Sequence, residues 1–172
     1  MENKKQLNSI ILNFSALYAI VAILFFAFTP KTAEPNTTTS ILSFLGLMLF
    51  ISIPIVAVRT YVKQGGEISL GKSIKIGLLI GLLGGIVTAI YSALYYAYIN
   101  PQAIDQALEI SRSILEKQGS YNEEMIEKQM EITRKFFIPF SLFGQIFVGL
   151  LYGLIGGLIA GFFFKPKNQM YQ

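Results

Sequence analysis

One stretch of the sequence carries residue types that could bind a nucleotide phosphate. Residues 66–73, GEISLGKS, match the pattern G-x-x-x-x-G-K-[ST], with Gly66, Gly71, Lys72 and Ser73 at the required positions. In proteins that use this pattern, backbone N–H groups surround the phosphates, the lysine contacts the β and γ phosphates, and the hydroxyl binds Mg²⁺. The pattern has this meaning only where a buried strand precedes it and a helix follows it within an α/β sheet.

The composition indicates a protein of the lipid bilayer. The 172 residues are 53% apolar and only 14% charged, whereas soluble domains are about 25% charged. The chain has no Cys and no His, which removes thiolate nucleophiles, disulfides, the usual general base near neutral pH and the commonest metal ligand. We therefore expect no enzyme activity, no catalytic residue, no metal and no cofactor.

Four stretches are long and apolar enough to cross a hydrocarbon core, which takes about 20 helical residues. They cover about residues 10–28, 41–58, 76–98 and 140–164, and none contains Asp, Glu, Lys or Arg. The predicted fold is an all-α membrane protein with four transmembrane helices in a single domain, residues 1–172. A cleaved signal peptide is the alternative for the first stretch, but its apolar run is longer than usual, and Pro30 and Lys31 stand where cleavage would occur.

Basic residues predict the orientation of the spans. They concentrate in three places: the N-terminal tail, the second connection and the C-terminal tail, at Lys4, Lys5, Arg59, Lys63, Lys72, Lys75, Lys165 and Lys167. Positive charge is retained on the cytoplasmic side of a membrane. We expect a bacterial inner (cytoplasmic) membrane protein with both termini in the cytoplasm and residues 99–139 outside.

The phosphate-binding pattern falls in a short connection between the second and third spans. That connection has no room for a sheet, so the pattern predicts a turn at Gly65 and Gly66, with Lys72 reaching the headgroups. Ser69 or Ser73 is expected to cap the third span. We expect neither a nucleotide nor a nucleic acid as a partner.

Small residues recur every four positions in the last two spans. The third span carries Gly77, Gly81, Gly85, Ala89, Ala93 and Ala97, and the fourth carries Gly149, Gly153, Gly157 and Gly161. Such rows let helix backbones pack closely in lipid, with right-handed crossing. The rows have three possible uses: contact between the two spans of one chain, contact between copies in a homo-oligomer, or contact with another membrane protein.

Residues 100–139 predict an amphipathic helical hairpin outside the membrane. Asn100 is expected to cap its first helix, Gly119 to end it, Ser120 and Glu123 to form a capping box for its second helix, and Pro139 to precede the fourth span. The expected inner faces are Ile104, Ala107, Leu108, Ser111, Ile114 and Leu115 on the first helix, and Met125, Ile126, Gln129, Met130, Thr133 and Phe137 on the second. Six carboxylates mark the outer faces: Asp105, Glu109, Glu116, Glu123, Glu127 and Glu131. We interpret them as a solvated surface, with a cation site as the alternative.

The run GGEISLGKSIKIGLLIGLLGGIVTAIYSALYYAYINPQ, with the acidic helix and the glycine-rich last span that follow it, resembles the bacterial domain-of-unknown-function family 4199. The resemblance extends from the first span to Lys165. Its most specific residues are Gly65, Gly66, Gly71, Lys72, Gly77, Tyr95, Tyr96, Asn100 and Pro101. It implies a four-span membrane protein and supplies no catalytic residues.

Two functional hypotheses follow from these patterns. The first is a non-enzymatic membrane scaffold or accessory subunit that contacts other proteins through the hairpin or the glycine rows. The alternative is a small oligomeric channel or transporter, in which Thr88, Ser92 and Gln145 would line the path. The spans contain no ionisable group, which disfavours a proton-coupled carrier.

Overall fold

The computed structural model describes residues 2–29 and 37–164. This part of the chain forms five α-helices and one π-helical turn, without strands. The elements are α1 (Glu2–Phe28), α2 (Thr37–Lys63), α3 (Leu70–Leu94), the π-helical turn (Tyr95–Ile99), α4 (Gln102–Gln118) and α5 (Glu123–Phe164). Four segments are long and apolar enough to cross a membrane: Lys4–Phe28, Thr39–Lys63, Leu70–Ile99 and Glu123–Phe164. The prediction of an all-α chain with four such helices is confirmed.

The helices are longer than the apolar stretches that predict them. α1 already contains Lys4 and Lys5, α2 continues to Lys63, and α3 begins before Lys72. A helix satisfies its own backbone hydrogen bonds, so it can continue from an apolar stretch into polar residues. Pro30, Lys31, Lys165 and Lys167, which entered the predictions of cleavage and orientation, lie outside the described residues.

The predicted boundary at Pro139 is wrong, because α5 is one helix of 42 residues that contains this proline. The first helix of the predicted hairpin corresponds to α4, but the predicted second helix is the beginning of α5. A separate hairpin between the third and fourth spans is therefore not supported. Proline removes one backbone hydrogen bond, and helices of membrane-spanning length tolerate this because local adjustments and neighbouring groups satisfy the freed carbonyl.

The ends of α4 and α5 use different caps from those predicted. The Asn100 side chain makes no capping bond to α4; its amide donates to the Tyr95 hydroxyl at 3.1 Å. The Met125 backbone N–H donates to the Asn122 side chain at 2.9 Å, so Asn122, rather than Ser120, caps α5. Gly119 ends α4 in a left-handed conformation, with φ of 64°, as its type predicts.

Two compact units can be distinguished along the chain. Unit one comprises the residues up to Thr88 together with those from Gln145 onward, and unit two comprises Ala89–Gly144. Unit one contains α1, α2, most of α3 and the second half of α5. Its core includes the fully buried residues Ala57, Val58, Tyr61, Ile80 and Ala160.

Candidate functional site

A close helix contact in unit one joins the glycines of α3 to those of α5. A Cβ added at Gly77 would overlap the carbonyl oxygen of Gly153, and one added at Gly81 would overlap that of Gly149. In the same way, a Cβ added at Gly153 would overlap the carbonyl oxygen of Gly77, and one added at Gly149 would overlap that of Gly81. The two backbones therefore touch directly, a geometry in which Cα–H groups donate to the facing carbonyls.

The contact continues toward both ends of the glycine rows. A Cβ at Gly85 would lie 3.2 Å from the Gln145 carbonyl oxygen, and one at Gly157 would lie 2.9 Å from that of Ser73. A Cβ at Gly161 would lie 3.3 Å from the Leu70 Cα. All seven predicted glycines thus lie at close helix contacts within one chain.

The alanines at the far end of the α3 row belong to unit two and differ in exposure. Ala89 is buried, Ala93 is half-buried, and Ala97 is exposed within the π-helical turn. The predicted row is therefore not one uniform surface. A π-helical turn changes the direction of side chains relative to the preceding helix, which breaks a four-residue repeat.

Two further glycines make close contacts that the four-residue pattern does not contain. A Cβ at Gly156 would lie 2.7 Å from the Ile51 carbonyl oxygen and 3.0 Å from the Pro54 side chain, so this glycine admits α2 against α5. A Cβ at Gly84 would overlap the ring of Tyr18 on α1. The sequence signals these two contacts only by the pairs Gly84-Gly85 and Gly156-Gly157, in which a second glycine lies next to a member of the four-residue row.

The connection between α2 and α3 folds around the buried ring of Tyr61. The Gly66 N–H donates to the Tyr61 carbonyl at 3.0 Å, and a Cβ at Gly66 would overlap the Tyr61 ring. Gly65 has φ of 83°, which favours glycine. The Lys72 ammonium donates to the Tyr61 hydroxyl at 2.7 Å and to the Glu67 carbonyl at 3.0 Å. The loop contributes four residues to the family-like motif, and these contacts explain three of them: Gly65, Gly66 and Lys72.

This geometry differs from that of a phosphate-binding loop. Helix α2, instead of a strand, precedes the loop. The Ser73 hydroxyl is buried and donates to the Gly157 carbonyl at 2.7 Å. The Lys72 ammonium is already bound to oxygens of its own loop. Ser69 accepts from the Lys72 N–H at 3.3 Å, which agrees with its expected role at the start of α3.

The Tyr95, Tyr96, Asn100 and Pro101 motif of unit two forms the turn from α3 to α4. The Asn100 backbone N–H donates to the Tyr95 carbonyl at 2.8 Å across the π-helical turn. The Tyr96 ring packs edge-to-face on Phe137 at 5.0 Å. These residues fix the direction of the chain, because the π-helical turn ends just before the proline that precedes α4.

Ion pairs join α4 to the beginning of α5 in unit two. Arg134 pairs with Asp105, and Arg112 lies 2.9 Å from Glu116 and 3.7 Å from Glu123. The hydrogen bond from Arg112 to Glu116, and the charge of that carboxylate, raise the pKa of Arg112 above its ordinary value. Both arginines already have carboxylate partners, so the cleft between them is not a free anion site.

The six carboxylates assigned above to the outer faces are exposed, as expected for a solvated surface. Among the residues that the structure describes, no group of three or more Asp or Glu side chains is arranged to hold a metal ion. The inner face of α5 contains Ile126, which is buried, and Met130, Thr133 and Phe137, which are half-buried. Met125 and Gln129 are exposed, contrary to the prediction.

A cavity of about 280 Å³ lies among α1, α2, α3 and α5 in unit one. Aromatic side chains form much of its wall, including Tyr18, Phe50 and Tyr152. Thr88 and Gln145, two of the three residues proposed above as a polar lining, border the same cavity. Ser92, the third, is buried in unit two and donates to the Ala89 carbonyl at 2.8 Å.

Comparison with known proteins identifies the family and adds no activity. Neither a curated protein nor a solved structure matches the chain. One family model matches residues 9–166, nearly the whole length, and its description is "Protein of unknown function (DUF4199)". With four helices of membrane-spanning length and a match of this extent, the chain belongs to the DUF4199 family.

Proposed function

We propose that this protein is a non-enzymatic scaffold or accessory subunit of a bacterial inner membrane, with both termini in the cytoplasm. Unit one anchors it in the bilayer through the glycine contact of α3 with α5. Residues 102–136, which comprise α4 and the first part of α5, meet a protein partner outside the membrane. The observation that supports this proposal is a row of exposed apolar side chains near the start of α5, where charged residues are also concentrated.

The length of α5 supports a segment outside the bilayer. Its 42 residues are about twice the 20 or so that a helix needs to cross a hydrocarbon core. Acidic and basic side chains lie between Glu123 and Lys135, and the helix after Pro139 has none. Burying charges in lipid is costly, so the charged part is the part that extends into water.

The exposed apolar row lies on this charged part. Met125, Ile132 and Phe136 are 50%, 46% and 42% exposed, and their spacing of seven and four places them on one helix face. Ile114 on α4 is also half exposed. Apolar rows in water, bordered by charges, mark surfaces that bind other proteins.

Site-specific photo-crosslinking in native membranes tests this proposal. The crosslinker is placed at Ile132, at Met125 and, as a control, at Phe44, which is exposed on the apolar part of α2. We expect one and the same foreign protein at Ile132 and Met125, its loss when Phe136 is changed to lysine, and only lipid adducts at Phe44. Adducts between copies of this chain alone, or no protein adduct at either position, would contradict a scaffold for another protein.

The orientation is tested separately with single cysteines, because the chain has none of its own. In intact cells, a membrane-impermeant thiol reagent is expected to label Gln118→Cys, at the exposed end of α4, and to label Lys5→Cys only after permeabilisation. Labelling of Lys5→Cys in intact cells would reverse the proposed orientation.

The alternative, a small oligomeric channel or transporter, is favoured by the cavity at Thr88 and Gln145. Purified protein in liposomes distinguishes the two functions. The scaffold predicts no leakage of ions or small solutes above that of empty liposomes. Flux that depends on the protein and falls in Gln145→Leu would replace the scaffold with a channel.

A further inference from the structure

Three polar side chains line the cavity of unit one without a hydrogen-bond partner. They are Tyr18, Gln145 and Tyr152, and none of their side chains donates to or accepts from any residue within 2–29 and 37–164. Tyr18 is only 3% exposed, and the other two are half-buried. The three groups come from α1 and α5, on both sides of the cavity.

The buried serine and threonine hydroxyls of the described residues are satisfied by backbone carbonyls. Ser15 donates to the Ile11 carbonyl, Ser73 to that of Gly157, and Thr88 to that of Gly84. Leaving a buried polar group unpaired is costly, and native proteins rarely do so. Among the described residues, no fully buried side-chain nitrogen or oxygen lacks a partner, so the polar atoms of Tyr18, Gln145 and Tyr152 open onto the cavity, where the hydrogen-bonding groups of a ligand can reach them.

The walls of the cavity define the chemistry of that partner. No residue that the structure places around the cavity is charged, so the ligand is uncharged. The Phe50 ring lies between those of Tyr18 and Tyr152, with centroids 5.2 and 5.8 Å away, and Phe25 packs edge-to-face on it at 5.7 Å. Such a wall suits a flat ring, which packs on aromatic side chains better than a flexible chain does.

The size and position of the cavity further restrict the class of ligand that could bind there. The volume of about 280 Å³ is at the lower limit of small-molecule sites, which span about 300–1,000 Å³, so one ring fits. The two tyrosines and the glutamine each carry a donor hydrogen, which a carbonyl oxygen on the ligand would accept. The lining side chains belong almost entirely to helices of membrane-spanning length, so the ligand enters from the bilayer.

We propose that this cavity binds an uncharged, membrane-dissolved carbonyl compound with a flat ring, of the quinone type. Its ring would pack against Phe50, and its carbonyl oxygen would accept hydrogen bonds from Tyr18 and Gln145. This binding site is independent of the scaffold proposal, since it lies in unit one and requires no protein partner.

The test measures binding of decylubiquinone to the purified full-length protein in nanodiscs, by equilibrium titration and native mass spectrometry. Decanol serves as a comparison probe, because it has the ten-carbon alkyl chain of decylubiquinone but no ring. The variants Tyr18→Phe and Gln145→Leu each remove one hydrogen-bonding group. Tyr98→Phe and Gln106→Leu are the matched controls, because both side chains are exposed and outside the cavity. Circular dichroism verifies that all four variants retain the helical fold.

We expect saturable binding of one decylubiquinone per chain. Affinity should fall about 5- to 10-fold in each cavity variant, as expected for one neutral hydrogen bond, and should stay at the wild-type value in both controls. Absence of saturable binding, or equal affinity in all variants, would overturn the site. Decanol binding as tight as that of decylubiquinone would overturn the assignment of a ring.

Discussion

Substituting Gly81 with alanine places a methyl group where the carbonyl oxygen of Gly149 lies. Backbone atoms cannot rotate away as a side chain can, so α3 and α5 must separate. Overpacking costs about 1–3 kcal/mol, and each lost Cα–H···O contact costs about 0.5–1 kcal/mol more. The higher helix propensity of alanine returns about 1 kcal/mol. We therefore expect Gly81→Ala to lower the free energy of unfolding by about 1–3 kcal/mol.

The assay is unfolding of detergent-solubilised protein by sodium dodecyl sulfate, followed by circular dichroism. Gly144→Ala is the matched control, since it lies in α5 and a Cβ there meets no atom within 4 Å. This control should be neutral, or more stable by up to about 1 kcal/mol. If Gly81→Ala proves as stable as Gly144→Ala, the backbones of α3 and α5 are not in contact and the reasoning fails.

Three smaller perturbations test other contacts. Ser73→Ala removes the buried bond to the Gly157 carbonyl and should cost about 1–3 kcal/mol in the same unfolding assay; a stability equal to wild type would show that this bond is not formed. Asn122→Ala removes the cap of α5 and should cost about 1 kcal/mol, whereas Ser120→Ala should cost less; the reverse order would restore the predicted capping box. We expect ATP binding at background level in both the wild type and Lys72→Ala. Measurable ATP binding by the wild type that is lost in Lys72→Ala would restore the phosphate-loop hypothesis.

The four apolar helices could be predicted because charge and hydrophobicity are local properties of the sequence. The break at Pro139 could not be predicted correctly, since a proline inside a helix and a proline before a helix look alike in the sequence. The cap at Asn122 was missed for a similar reason. Ser120 and Glu123 also have the spacing of a cap, and only the path of the chain decides between them.

The candidate site also has features that could be predicted from the sequence and features that could not. Gly77, Gly81, Gly149 and Gly153 could be singled out from their spacing, because a four-residue repeat places small residues on one helix face. Which helix each face meets depends on the tertiary structure. The cavity could not be predicted at all, since its unpaired groups come from distant parts of the chain and tyrosines such as Tyr18 are ordinary core residues when read singly.

The pairing of α3 and α5 within one chain underlies both the membrane anchor and the cavity. A disulfide between Leu70→Cys and Gly161→Cys tests this pairing most directly, because a Cβ at Gly161 would lie 3.3 Å from the Leu70 Cα, close enough for a disulfide. The control pair is Gly71→Cys with Gly161→Cys, since a Cβ at Gly71 meets no atom within 4 Å.

Mild oxidation in membranes, followed by non-reducing electrophoresis and mass spectrometry, identifies the linkage. We expect an intramolecular disulfide in the Leu70→Cys, Gly161→Cys monomer, little or none in the control pair, and no linked dimer when chains carrying one cysteine each are expressed together. Linked dimers from those single-cysteine chains, without an intramolecular disulfide in the double variant, would contradict the account and place the contact between copies.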